Sequence, residues 1–150
     1  MNTKWDGRFL ELADIVSSWS KDPSTQVGAV IVNDKKVVVG MGYNGFARGV
    51  VDVPGLYADR AKKYEMVIHA EVNAVLNATQ SVEGCTLYCT HPPCSRCMAV
   101  LIQSGIKEVV SLKASDDFIK RFKDSIALTV MQAQMANVTL REHQVVNDDY

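Results

Sequence analysis

The chain has 150 residues, 47% of them hydrophobic, with 16 Lys and Arg against 17 Asp and Glu for a formal net charge of −1. A chain of this length fits one domain and can bury roughly 70% of the surface its unfolded form exposes. The near-neutral balance favours no nucleic acid partner, no apolar run approaches the ~20 residues of a membrane span, and the polar start Met1-Asn2-Thr3-Lys4 lacks the apolar core of a secretory signal.

Trp5, Phe9, Leu12, Val16 and Trp19 recur at spacings of four and three with Asp6, Glu11 and Asp14 between them, which predicts an amphipathic helix ended by Ser20-Lys21-Asp22-Pro23-Ser24. Residues 27–32 and 37–42 are β-rich runs joined by Asn33-Asp34-Lys35-Lys36, a predicted hairpin whose continuous apolar character implies cover on both faces. Residues 43–63 read as a long loop; structureless loops of that length are usually functional or disordered, and a functional one is expected. A helix is expected over 69–79, a strand over 85–90, a helix over 94–104 closed by Gly105, and a strand over 107–112. Phe118, Phe122, Ile126 and Val130 recur every four residues and predict one further helix towards Met135, followed by a last strand over 137–141. The order αββαβαβαβ implies an α/β fold with helices on both faces of a sheet. One domain over 1–144 is expected, with 145–150 as a frayed tail.

Two segments carry the chemistry, His69-Ala70-Glu71 and Pro93-Cys94-Ser95-Arg96-Cys97. A lone C-x-x-C reads equally as a structural zinc half-site or a redox pair, but no second C-x-x-C completes a four-cysteine site. Joined to an upstream His-x-Glu, it gives the pattern of zinc deaminases. Cys94 and Cys97, three apart at a predicted helix start, gain from the partial positive charge that favours thiolates. His69 supplies a third ligand, and three protein ligands leave the fourth position open, as in a catalytic zinc site that makes hydroxide available at neutral pH. Glu71, two residues from His69, is placed to shuttle protons and not to ligate. Cys85 and Cys89 read as buried small hydrophobes, His143 as a surface residue, and His91 either as a pocket residue or as a loop histidine. The absence of an export signal and the metal-like cysteines point to a reducing cytoplasm.

The segments around 20–29, Gly42-Tyr43-Asn44-Gly45, 69–74 and 103–109 lie in an order and spacing that resembles the deoxycytidylate deaminase family over roughly residues 5–140. The resemblance implies a cytidine-deaminase-like three-layer αβα sandwich with a mixed five-stranded sheet, a homo-oligomer that is often a hexamer, one catalytic zinc per chain, and conversion of dCMP to dUMP for thymidylate synthesis. It further implies substrate contacts from Ser24, Thr25, Asn44, Ala70 and His91. Regulated members bind dCTP as activator and dTTP as inhibitor with magnesium, which here points to Gly42, Asn44, Gly45 and Arg48. Asn44 reads alternatively as a plain turn residue, and Lys21 as a solvated cation or a phosphate contact. Pro92 stands where an aromatic residue is common in the family, so the resemblance names no stacking partner for the base. Asp22 stands where some phage members use a cysteine for a second zinc. The rival functions are deamination of another cytosine nucleotide or nucleoside, of guanine, or of adenosine in transfer RNA; a non-enzymatic zinc module would need no Glu71.

Overall fold

A computed structural model describes residues 3–144, so the expected tail at 145–150 lies outside the described residues. The chain opens on α1 (Lys4–Ser17), capped by Thr3 and Asp6 in a reciprocal box. β1 (Gly28–Val32) and β2 (Val38–Tyr43) follow as the expected antiparallel hairpin. Its turn is built on Asn33, whose Oδ1 accepts from the Lys35 and Val37 N–H groups, and on Lys36 at φ 65°.

The expected loop over 43–63 instead holds two short helices, α2 (Pro54–Ala58) and α3 (Arg60–Met66). Proline at the start of α2 and the Asp59 side chain, which accepts from the Lys62 N–H, explain them. α4 (Ala70–Leu76), β3 (Thr86–Cys89), α5 (Ser95–Gln103) and β4 (Glu108–Leu112) come close to their expected places, and Gly105 closes α5 with φ 93°.

The single helix expected from the Phe118 stripe is two, α6 (Asp116–Arg121) and α7 (Lys123–Met135), broken at Phe122 with φ −114° and ψ 24°. Half of the apolar stripe also points outward, while Phe118 and Ile126 are half-buried. α7 buries Thr129 and Ala133, whereas Phe122 and Val130 are exposed. β5 (Thr139–His143) begins two residues later than expected, after Asn137 in the left-handed region. Trp19 lies beyond α1 and is half exposed, edge-on to Tyr43. His143, expected at the surface, is buried at the end of β5.

The five strands run in the order β2-β1-β3-β4-β5, antiparallel among the first three and parallel among the last three. Alternate side chains serve opposite faces. Val30, Val32, Tyr88 and Val110 meet Phe9, Leu10, Ala13 and Val16 of α1. Ala29, Ile31, Leu87, Cys89 and Val109 meet Ala70 and Ala74 of α4 and Met98 and Leu101 of α5. The sheet is therefore covered on both sides, as the expected three-layer αβα sandwich requires. Buried Asp6 ties the α1 layer down by accepting from the Tyr88 hydroxyl at 3.0 Å and from the Arg141 guanidinium at 3.1 and 3.2 Å.

Close approach of helix to sheet demands glycine at three strand positions, Gly40 among them, where a Cβ would overlap the backbone of Ala74. A Cβ at Gly28 would overlap the backbone of Ala13 and Ser17, and one at Gly42 the backbone of Ala70 and Ala74. Among the described residues, no helix is long and apolar enough to cross a membrane.

Candidate active site

α4 and α5 lie on the same face of the sheet, and their N-terminal ends bring the two motifs together. His69 is the N-cap of α4 and Cys94 the N-cap of α5. The Cys94 sulfur accepts from the Cys97 N–H, so a helix N-terminus supplies positive potential to the sulfur. His69 Nδ1 lies 3.2 Å from Cys97 Sγ and 3.5 Å from Cys94 Sγ, and the three candidate ligand atoms are all within 4.8 Å of one another. A tetrahedral zinc, with Zn–S about 2.3 Å and Zn–N about 2.0 Å, sets its ligand atoms roughly 3.3–3.8 Å apart. The donor set and spacing fit such an ion, held by one imidazole and two thiolates.

The electrostatics agree. Hydrogen bonding from Cys97, opposed by burial and aided by His69, holds the Cys94 thiol far below its usual range. The same bond to Cys94, together with burial, pushes Cys97 up. One sulfur is thus ready as thiolate, and a cation can displace the proton that remains on the other.

Glu71 sits in the first turn of α4, 4% exposed. Burial raises its carboxyl above the usual carboxylate range, opposed by its own backbone N–H and by His69. The Cys89 thiol donates to Glu71 Oε1 at 3.4 Å. Cys89 is buried as expected, but it also touches the acid. Pairing of Cys89 with Ala29 puts it on the sheet face that α4 covers, a register that no local sequence signal specifies.

Ala70, between His69 and Glu71, is fully buried. His91 borders a cavity of about 350 Å³ with Gln26, Thr90, Lys113, Ser115 and Phe118. Its ring lies 5.4 Å from that of Phe118, and burial lowers its pKa. Ser24 and Thr25 are exposed, with their N–H groups bonded to Asp22 Oδ1 at 2.8 and 3.3 Å. Asn44 is buried, and its side chain accepts from the Val27 N–H and donates to the Thr25 carbonyl, both at 2.8 Å. Gly42 is occupied by packing against α4, whereas a Cβ at Gly45 would meet nothing within 4 Å. Arg48 donates to Asn77 Oδ1 at 3.0 Å, at the C-terminal end of α4 and not at the end that carries His69.

Residues 3–113 match the model of the cytidine and deoxycytidylate deaminase zinc-binding region. The chain belongs to that deaminase family. Its members are hydrolases, and the matched region contains both motifs. An uncharacterised deaminase encoded in the luxG 3′ region of Aliivibrio fischeri is 42% identical over 138 residues, covering 92% of this chain and 92% of that protein. Human deoxycytidylate deaminase is 39% identical over 147 residues, covering 93% of this chain and 79% of that protein. The fold matches a cyanophage S-TIM5 dCMP deaminase, solved with dCMP and dUMP, at a TM-score of 0.76 and 24% identity, over 95% of this chain and 99% of that one. This deaminase therefore has the five-stranded fold that the sequence implied.

Proposed function

We propose that this deaminase hydrolyses dCMP to dUMP and ammonia, with zinc held by His69, Cys94 and Cys97 and with Glu71 as the proton shuttle. The observation that carries the reading is the clustering of His69, Cys94 and Cys97 within 4.8 Å, with buried Glu71 two residues from His69. Likeness to deoxycytidylate deaminases over most of the chain supports the choice of substrate. Zinc, when bound, supplies a nucleophilic oxygen at neutral pH. Glu71 takes a proton from the attacking water and delivers it to ring nitrogen N3, then takes the proton of the hydroxyl now on C4 and passes it to the amine, which leaves as ammonia while the C4 carbonyl forms. Its burial keeps competing water away and raises its carboxyl above the usual carboxylate range, which favours holding the proton it takes up. Ser24, Thr25, Asn44, Ala70 and His91 receive the nucleotide, and the His91–Phe118 ring pair borders the adjoining cavity.

Regulation by dCTP and dTTP with magnesium belongs to the same reading, through the segment that holds Gly42, Asn44, Gly45 and Arg48. Arg48 and Asn77 meet at one end of α4 while His69 and Glu71 occupy the other, so a triphosphate bound at Arg48 could bias the catalytic end through one short helix. A homo-oligomer, a hexamer by family likeness, is supported by the exposed apolar side chains of Val100, Leu128, Met131 and Met135 on α5 and α7. Four free cysteines suit a reducing cytoplasm.

The test is ammonia release from dCMP, CMP, deoxycytidine, guanine, single-stranded DNA and transfer RNA, run with and without dCTP–magnesium or dTTP. We expect kcat/KM to be highest for dCMP. The dCMP curve should be sigmoidal, raised by dCTP at low substrate and depressed by dTTP, with a change in apparent affinity of about 5- to 150-fold. A higher kcat/KM for another substrate would reassign the reaction. A hyperbolic curve indifferent to both triphosphates would remove the regulatory part alone.

A further inference from the structure

Away from the zinc ligands, an enclosed carboxylate stands in the turn between α1 and β1. The Asp22 side chain is 2% exposed, and the ammonium that faces it, on Lys63 of α3, is 14% exposed. Lys63 Nζ lies 2.9 Å from Asp22 Oδ1 and 2.8 Å from Oδ2. The same carboxylate accepts from the N–H groups of Ser24 and Thr25, and Asn44 Nδ2 approaches Oδ2 at 3.5 Å. Asn44 also holds Thr25 and Val27, and the Ser20 hydroxyl donates to the Asn44 carbonyl at 2.8 Å. Asp22 is therefore the hub on which the 20–27 turn folds. The hydrogen bonds draw the backbone of Ser24 and Thr25 inward, while both residues stay exposed.

A carboxylate withdrawn from water needs a partner charge. Burial alone would raise Asp22; Lys63 and the turn N–H groups outweigh it and hold the carboxyl below its usual range. Without the Lys63 charge, Asp22 must either take up a proton or swing towards solvent. Swinging out breaks its bonds to Ser24 and Thr25. Lys63 also joins this turn to the approach of His69. The Lys63 carbonyl accepts from Val67 N–H at 2.9 Å, Ile68 and Gly45 exchange two backbone hydrogen bonds, and His69 follows. A second link runs to Asp52 from exposed Lys21 and from buried Tyr57, both at 3.1 Å.

We propose that Lys63 is a positioning residue for nucleotide recognition, which through Asp22 fixes the 20–27 turn and Asn44 without itself touching the nucleotide. The proposal rests on the reading above that Ser24, Thr25 and Asn44 receive the substrate. Lys63 lies 41 residues from Asp22, on a helix with no part in metal binding.

The experiment compares zinc-loaded wild type with Lys63→Met, Lys63→Arg, Asp22→Asn, the Asp22→Asn/Lys63→Met pair and Ser24→Ala/Thr25→Ala. The readouts are kcat, KM for dCMP, zinc content, and amide hydrogen exchange over 20–27. Lys63→Met should raise KM about tenfold with kcat within about threefold, a loss of binding and not of chemistry. Zinc should stay at one per chain and exchange over 20–27 should quicken. Lys63→Arg, which can still pair the carboxylate, should restore KM to within about threefold of wild type. Because both residues act on one turn, the pair should be no worse than Lys63→Met.

Unchanged KM and exchange in Lys63→Met, with KM raised in Ser24→Ala/Thr25→Ala, would overturn the role of Lys63 and leave the substrate reading intact. Faster exchange with KM unchanged in both variants would overturn the substrate reading, and the proposal with it. A KM rise in the pair that multiplies the two single effects would mean that Lys63 does not act through Asp22. If Lys63→Met does not accumulate, the pair, which leaves no buried charge unmatched, should itself show the tenfold KM rise, and an unchanged KM there would overturn the proposal.

Discussion

Glu71→Gln should keep zinc at one per chain and slow dCMP deamination by about 10²-fold or more, the low end of what a positioned acid–base group supplies. Glutamine matches the size of the buried side chain, and its carbonyl can still accept the Cys89 thiol that lies 3.4 Å from Oε1. Packing and metal ligation are thus preserved while proton transfer is lost. Because the effect falls on the chemical step, kcat should drop and KM for dCMP should change little. Zinc-loaded Glu71→Gln turning over within about tenfold of wild type would remove Glu71 from the shuttle.

His69→Ala and Cys97→Ala should behave differently, losing metal and activity together. Each removes one of three ligands from a cluster whose atoms lie within 4.8 Å of one another, and the two that remain make a poor zinc site. The rate should fall by roughly 10³-fold or more, since a catalytic metal contributes several kcal/mol of stabilisation to the transition state. Elemental analysis checks the metal, and circular dichroism checks that the fold survives. Cys85→Ala, outside the ligand cluster, is the control and should keep its zinc. Full zinc occupancy in His69→Ala and in Cys97→Ala would move the metal elsewhere.

The candidate ligand cluster and the neighbouring Glu71 were legible because metal chemistry restricts residue type and because His-x-Glu and C-x-x-C each sit at the start of one helix. The sheet was legible from its β-branched runs. Polar contacts between distant segments leave no periodic trace, so neither the Asp22–Lys63 ion pair nor the Arg48–Asn77 hydrogen bond could be read. The Phe118 stripe misled for a physical reason. A four-residue repeat describes a helix face whether that face meets the core or solvent, and here the helix breaks at Phe122 and buries small residues such as Ala133. Residues 54–63 read as loop because each helix there is shorter than two full turns and buries little, with Tyr57 alone enclosed. His143 shows the converse, a polar residue that the end of a strand carries inward. Asn44 was legible as important but not for which purpose, since its amide spends its hydrogen bonds on the turn beside it.

The most direct test is a zinc titration of metal-free protein, prepared by chelation, with dUMP and ammonia measured from dCMP at each addition. We expect no turnover without metal, a rate that rises in proportion to zinc, and a break at one zinc per chain with dUMP and ammonia formed in equal amounts. Turnover that ignores zinc, a break at another stoichiometry, or a fully loaded protein that forms no dUMP would contradict the proposed reaction.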